Sequence, residues 1–382
     1  MFLRVSPNES GNSGVLFIGF NQDYSCFAVG LQNGFRIFNS DPLKQLERHE
    51  FDVRDGTGVG FLEMLYRTNL LGILGGGHHA RLPSNVACLW DGIKQQFLLE
   101  ISCSSDVKSI RLRRDRIIIV LSEAIKVYTF GPSPEVVYEC STCANPFGLC
   151  HICQSPDNPL IAVPGKRFGS VLLVNIGDNM VSPANPSATI RHSTSANIGP
   201  PRQIMAHENP LAALEMNRSG TLLATCSLKG TIIRVFSTKE CQLIQEFRRG
   251  LNPAMITSMC FNQTSDLLCV TSERGTAHIF SMKHGSAASH QRTVTAVPST
   301  GSTSNIEAED VLVNHYTSAS EVRCALETKY KAICAFSPLN PNILIVLSAD
   351  GSYYKYSFTG KGSVNRVTFV SFLDFYDDET DF

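Results

Sequence analysis

One arrangement of apolar and polar positions recurs along the chain: an apolar stretch, a polar turn, a second apolar stretch, a turn containing glycine, and a third strand-like stretch. Short apolar runs bounded by Gly, Asn and Asp predict strands. The copies are FIGFNQDYSCFAVGLQNGFRIFN from Phe17, FLEMLYRTNLLGILGGG from Phe61, VKSIRLRRDRIIIVLSEAIKVYTF from Val107 and GLCHICQSPDNPLIAVPGKRFGSVLLVNI from Gly148. They continue with LAALEMNRSGTLLATCSLKGTIIRVF from Leu211, ITSMCFNQTSDLLCVTSERGTAHIF from Ile256 and KAICAFSPLNPNILIVLSADGSYYKYSF from Lys331. Their starts lie 44, 46, 41, 63, 45 and 75 residues apart. A four-stranded propeller blade occupies about 40–45 residues, so four intervals fit and two read as a blade plus an insertion. The pattern predicts an all-β chain in which residues 1–382 form one seven-bladed β-propeller of the WD-repeat type. Two β-sandwiches in tandem are the alternative, but sandwiches require no fixed period. Trp90-Asp91 is the one Trp-Asp dipeptide, so the repeat is degenerate.

The insertions differ in composition. Residues 177–203 are rich in Pro, Ser and Asn and read as a long surface connection. Residues 283–320 begin as a Ser/Thr/Gly-rich run, follow the third strand of the sixth unit, and are expected to hang between the last two strands of that blade. The chain closes on an acidic tail, LDFYDDETDF. Two routes complete the seventh blade: a strand from near the N-terminus, or residues Val364–Phe372.

Composition narrows the function. Lys and Arg (33) nearly balance Asp and Glu (34), so no global field draws the chain to nucleic acid, and any anion site must be a local cluster. The opening MFLRVSPNESGNSG has no apolar core of signal-peptide length. The longest aliphatic run, Ile117–Leu121, is far short of a membrane span. Thirteen cysteines without such a signal predict free thiols in a reducing, cytoplasmic setting. The sequons at Asn8, Asn217 and Asn262 then read as chance matches.

The stretch QEFRRGLN places Arg248 and Arg249 where the fourth strand of the fifth unit should end. Consecutive residues of a strand face opposite ways, so one arginine can serve the fifth blade and the other the sixth. The neighbouring turns share a design of hydroxyls, a charged residue and Gly-Thr. ATCSLKGTIIR carries Thr225, Ser227, Gly230, Thr231 and Arg234, and VTSERGTAHIF carries Thr271, Ser272, Gly275, Thr276 and His278. Hydroxyl donors, backbone N–H groups beside a glycine and forked guanidinium groups all suit phosphate oxygens. Read alone, the same pair would be solvated edge charges, with Gly250 only turning the chain.

QEFRRG between SLKGTIIRVF and SERGTAHIF resembles the signature of the PROPPIN family, the WIPI-type WD-repeat proteins. FNQDYSCFAVGLQNGFRIFN, LRRDRIIIVL, NPFGLC and ADGSYYKY extend the resemblance over nearly the whole chain. It implies a non-enzymatic propeller, without cofactor or metal, that binds phosphatidylinositol 3-phosphate and the 3,5-bisphosphate at two sites. Carried over by position, Arg248 joins His207, Thr225, Ser227, Thr231 and Arg234; Arg249 joins Ser272, Thr276 and His278; Gly230 and Gly250 complete the phosphoinositide-binding set. The family usually has serine where this chain has Thr225; the hydroxyl is kept. The FNQD opening and acidic end are similar to the branch that works with an autophagy lipid-transfer protein, which implies a partner contact at Asn21 and Asp23. In the family the long blade-six loop enters the membrane; here it holds one tyrosine and the acids Glu307, Glu309 and Asp310, and no basic amphipathic helix. The expectation is a monomer recruited from the cytoplasm to preautophagosomal, autophagic and endosomal membranes, acting in autophagosome assembly.

Other motifs read as structural. CSTCANPFGLCHIC holds two CxxC pairs, but the second lies in an expected strand, where residues three apart cannot converge on one zinc ion. GILGGGHHARLP lacks the Lys-Ser/Thr of a phosphate loop and reads as a hairpin connection of the second blade, and LRRDR reads as a basic hairpin turn. FNQD also suits an ordinary turn. No nucleophile–base–acid set appears, nor a G-x-S-x-G elbow. The rival readings are a protein-binding WD-repeat scaffold that ignores lipid, and a propeller hydrolase or lyase with convergent carboxylates or histidines.

Overall fold

The structure is a computed structural model that describes residues 2–5, 13–177, 200–282, 317–319, 322–360 and 362–374. Seven sheets follow one another along the chain, antiparallel but for one added strand, each with its strands in sequence order from the inside of the ring outward. Each begins where the repeat predicts. The inner strands are largely buried: Ile117–Leu121 within the blade-three strand Arg116–Leu121 has both faces covered, which is why it reads as a continuous apolar run. The outermost strands alternate, as in Leu43–Glu50. The chain is thus a seven-bladed β-propeller, with no α-helix among the described residues.

Turn chemistry fixes the first hairpin of several blades. Asn217 Oδ1 accepts from the backbone N–H groups of Thr221 and Leu222 at 2.9 Å each, and Asn262 Oδ1 accepts in the same way from Asp266 and Leu267. Asn21 Oδ1 holds the N–H of Cys26 at 3.1 Å. The three are nearly enclosed, so the sequons at Asn217 and Asn262 are buried turn residues. LRRDR is the hairpin turn between Val107–Arg113 and Arg116–Leu121, and GILGGGHHARLP joins Leu70–Gly75 to Val86–Asp91, both as expected.

Blade seven is completed from its own end of the chain, Val364–Ser371 pairing with Ser352–Phe358. The N-terminal strand Phe2–Arg4 instead adds to the inner edge of blade one. There it reaches the inner strands of blades two and three: Phe2 lies 4.8 Å from the Phe61 ring, the Arg111 guanidinium sits 4.5 Å over Phe2, and Arg4 donates to the Lys108 carbonyl. The ring closes by packing between blades one and seven. Phe372 meets Phe27 and Phe38 at 5.5 and 5.6 Å, Tyr353 Oη donates to the Ser40 carbonyl at 2.7 Å, and Asp41 pairs with Lys355 and accepts from Ser337 Oγ at 2.8 Å.

Of the insertions, residues 178–199 and 283–316 lie outside the described residues. The expected place of the second is met, since Thr276–Ser281 pairs with Val322–Ala325 as the last two strands of blade six. One part of it is more than a loop: Thr317–Ala319 pairs parallel to the fourth strand of blade five, with Arg248 opposite Ala319. The end of the tail, 375–382, also lies outside the described residues.

Closure by packing makes a stability prediction. Phe372 is fully buried between the two end blades, so Phe372→Ala is expected to cost about 3–5 kcal/mol in urea unfolding. Val367→Ala, on the exposed face of the strand before it, should stay within about 0.5 kcal/mol. Equal effects would contradict closure at this seam.

Candidate functional site

In blade five the second strand, Leu222–Ser227, turns into the third, Ile232–Ser237, through Gly230. Gly230 has φ +66° and donates to the Ser227 carbonyl at 2.9 Å. A Cβ there would fall 1.7 Å from the Ala254 carbonyl oxygen, so no other residue fits. In blade six Gly275 repeats the turn, with φ +66° and a 3.1 Å bond to the Ser272 carbonyl. The duplicated hydroxyl-and-glycine pattern of the sequence is therefore a duplicated backbone conformation.

The blade-five cluster is built around His207, which enters from the link that follows blade four. Its Nε2 lies 3.0 Å from Thr225 Oγ1, and Thr225, fully buried, also donates to the Arg234 carbonyl at 3.3 Å. Arg234, directly across the ladder from Thr225, is held by Glu246 at 2.8 Å and by the Ala206 carbonyl at 2.7 Å. Ser227 and Thr231 flank the glycine turn and are largely buried. Burial, with the Arg234 charge beside it, pushes the His207 pKa down to about 4.

Arg248 and Arg249 divide as alternation requires: Arg248 is exposed and Arg249 is 9% exposed. Arg249 is tied into the turn by its own N–H to the Thr231 carbonyl at 2.9 Å, by Nε to the Gly230 carbonyl at 2.6 Å, and by Nη2 to the Asn252 carbonyl at 2.5 Å. A guanidinium has five N–H donors, so donors remain beyond these two side-chain bonds. Burial lowers its pKa. Its charge reaches His278, whose pKa burial, Arg249 and Arg323 together push down to about 4. Ser272 Oγ and Thr276 Oγ1 stand 3.3 Å apart at the mouth of the turn.

The structure thus gathers His207, Thr225, Ser227, Thr231 and Arg234 in one cluster and Arg249, Ser272, Thr276 and His278 in a second. Three features were missed from sequence. Glu246, one turn of the strand pattern before the arginine pair, fixes Arg234. Arg323 lies opposite His278 on the last strand of blade six, beyond the long insertion that hid its register. Arg274 donates to the Pro253 carbonyl at 3.1 Å, beside the same link. Gly250, by contrast, has open space where a Cβ would stand, so packing does not require glycine there.

Asn21 is 2% exposed, and its amide donates to Ser25 Oγ and the Tyr66 carbonyl, so its side chain holds the turn. Asp23 Oδ1 accepts from the N–H and hydroxyl of Ser25 and is half-buried. In the CxxC region, Cys150 packs in the core between blades three and four and Cys153 in the core between blades four and five.

The PROPPIN family model matches residues 15–366. SVP1-like protein 2 of Eremothecium gossypii is 35% identical over 298 residues, 72% of this chain and 72% of that protein. Autophagy-related protein 18 of Yarrowia lipolytica is 36% identical over 274 residues, 70% of this chain and 66% of that one. Among solved structures, Kluyveromyces lactis Hsv2 has the same fold at 22% identity, with a TM-score of 0.69, covering 93% of this chain and 98% of that chain. A complex of KlAtg21 with the coiled coil of AgAtg16 gives a TM-score of 0.66 at 20% identity, covering 97% and 100%. The chain belongs to the PROPPIN family, autophagy-related, phosphoinositide-binding β-propellers that are in general non-enzymatic scaffolds.

Proposed function

We propose that this chain is an effector of 3-phosphorylated inositol lipids, taking phosphatidylinositol 3-phosphate or the 3,5-bisphosphate at two anion pockets, one per arginine of the FRRG stretch. The observation that carries this is the matched pair of glycine turns, each beside a histidine kept neutral by burial and, secondly, by neighbouring guanidinium groups. A lipid phosphate would use the hydroxyls of Ser227 and Thr231 or Ser272 and Thr276, the arginines, and backbone N–H groups. Each charge-assisted bond is worth about 1.5–3 kcal/mol. Two pockets on one molecule then act together by effective concentration at the membrane. Among the described residues no helix is long and apolar enough to cross a membrane; attachment through headgroups suits that.

The turn carrying Asp23 lies, by strand direction, at the opposite end of the blades from the glycine turns. We assign it to the docking of a lipid-transfer partner, with Asp23 offering its carboxylate and Asn21 holding the turn in shape. Membrane and partner then occupy different ends of one rigid ring. One solved propeller of this fold is recorded with the coiled coil of AgAtg16, and a coiled coil is the second kind of partner this scaffold would accept.

Flotation with vesicles containing phosphatidylinositol 3-phosphate tests the lipid reading. Arg248→Thr, at an exposed site, should fold normally and float less. Arg248→Thr/Arg249→Thr should lose flotation while keeping its circular dichroism, at a stability cost of about 1–2 kcal/mol for the carbonyls that Arg249 leaves unpaired. A folded double variant that floats like the wild type would sink the two-pocket reading.

Proton linkage gives a second prediction. His207 and His278 are neutral in the free protein because their pKa values lie near 4, below the ordinary 6.5. An unfolded chain takes up these protons first, so each histidine removes stability as pH falls from 6.5 toward 4, by about 3 kcal/mol at most. A bound phosphate raises both pKa values, so binding takes up protons and strengthens as pH falls. The ratio of wild-type to His207→Gln/His278→Gln flotation, which cancels the phosphate's own titration near about 6, should rise between pH of about 7.5 and 5.5. A flat ratio would place the histidines away from the lipid.

A further inference from the structure

The end of the blades that carries the glycine turns is tied into a continuous rim. The Leu228 N–H of the blade-five turn donates to the Pro210 carbonyl in the link after blade four, and the Ala254 N–H in the next link donates to the Lys229 carbonyl. Arg274 of the blade-six turn reaches the Pro253 carbonyl of that same link. On the other side, a Cβ at Gly169 in the blade-four turn would lie 1.8 Å from the His207 carbonyl oxygen, so that turn rests directly on the link that supplies His207. Turn, link, turn, link and turn follow one another without a gap.

Large apolar side chains stand out from this rim. Phe168 in the blade-four turn is 59% exposed, Met205 at the end of the strand beside it 58%, Leu228 41%, and Leu251 82%. A single exposed leucine needs no explanation. Phe168, Leu228 and Leu251 occupy successive turns and links with Met205 beside the first, and each of the three has exposed basic residues near it: Lys166 and Arg167 before Phe168, Lys229 after Leu228, Arg248 before Leu251, and Arg274 beyond it. Glu208 and Glu273 are the exposed acids among these turns and links, and Glu273 is occupied in accepting the Met255 N–H at 3.0 Å. A chain of formal net charge −1 therefore has one end where basic and apolar groups alternate. The corresponding blade-seven turn ends the run, with Asp350 before Gly351.

We infer that Phe168, Leu228 and Leu251, with Met205 beside them, form a second membrane contact that enters the interface of an anionic bilayer while the flanking Lys and Arg side chains meet its headgroups. Alternating apolar and cationic groups match the layered interface of an anionic membrane, where the two kinds of contact add. A protein partner would offer no reason for cations beside Phe168, Leu228 and Leu251 alike. The inference rests on the lipid reading of the two clusters, because the same rim holds them, and it supplies a hydrophobic anchor that does not depend on residues 283–316.

The test separates headgroup from bilayer. Wild type and Phe168→Ser/Leu228→Ser/Leu251→Ser are compared by calorimetry with water-soluble short-chain phosphatidylinositol 3-phosphate, and by flotation with phosphatidylcholine vesicles doped with the long-chain lipid. The triple variant should keep headgroup affinity within about twofold and lose roughly tenfold or more in vesicle affinity. Equal vesicle affinity would overturn the anchor and leave the pockets standing. Loss of headgroup affinity as well would show that these residues shape the pockets, and would also overturn it. A wild type that floats without binding the soluble headgroup would remove the pockets and keep the anchor; one that never floats removes both. As an independent readout, Leu251→Trp emission should be quenched by brominated acyl chains above the constant background of the native Trp90, which is buried away from the quencher; an unquenched probe contradicts insertion.

Discussion

The candidate site depends on one close approach: the Gly230 Cα lies against the Ala254 carbonyl, too near for any side chain. That contact sets the turn of blade five on the link to blade six and leaves carbonyls for Arg249 to hold. Once Arg249 is bound to Gly230 and Asn252, its charge is fixed beside His278, and Arg248, the previous residue, must face out. The two arginines are separated by backbone geometry and not by flexible choice. A substituted Gly230 would push the link away and so disturb both clusters at once.

Buried histidines among guanidinium groups are costly arrangements in a free protein. His207 and His278 remain neutral because burial and positive neighbours oppose their protonation. Such neutral histidines beside arginine side chains contribute little to folding, and they make sense as surfaces waiting for an anion. The packing between blades carries the stability instead: apolar cores run between successive blades, and the seam between blades one and seven is packed with Phe27, Phe38, Tyr353 and Phe372.

Much of this was legible in the sequence. Apolar runs at a regular period gave the number of blades and the start of each, because strand burial leaves a local signature. The turns that share Ser-x-x-Gly-Thr were readable for the same reason, since a left-handed glycine is a local requirement. Pairing across long insertions was not. Arg323 reaches His278 only through the register of a strand that lies some forty residues on, and the parallel addition of Thr317–Ala319 to the blade-five edge has no periodic signal at all. Nor could alternation alone show that Asn21 divides its amide between Ser25 of its own turn and the Tyr66 carbonyl of blade two, or that the N-terminal strand Phe2–Arg4 joins the inner edge of blade one rather than completing blade seven.

The central claim is that each arginine serves its own pocket. Calorimetric stoichiometry with a soluble inositol 3-phosphate headgroup, on wild type, Arg248→Thr and Arg249→Thr, addresses it most directly. Two headgroups should bind each wild-type chain and one each single variant. One headgroup on the wild type, or a single variant that loses both, would contradict it.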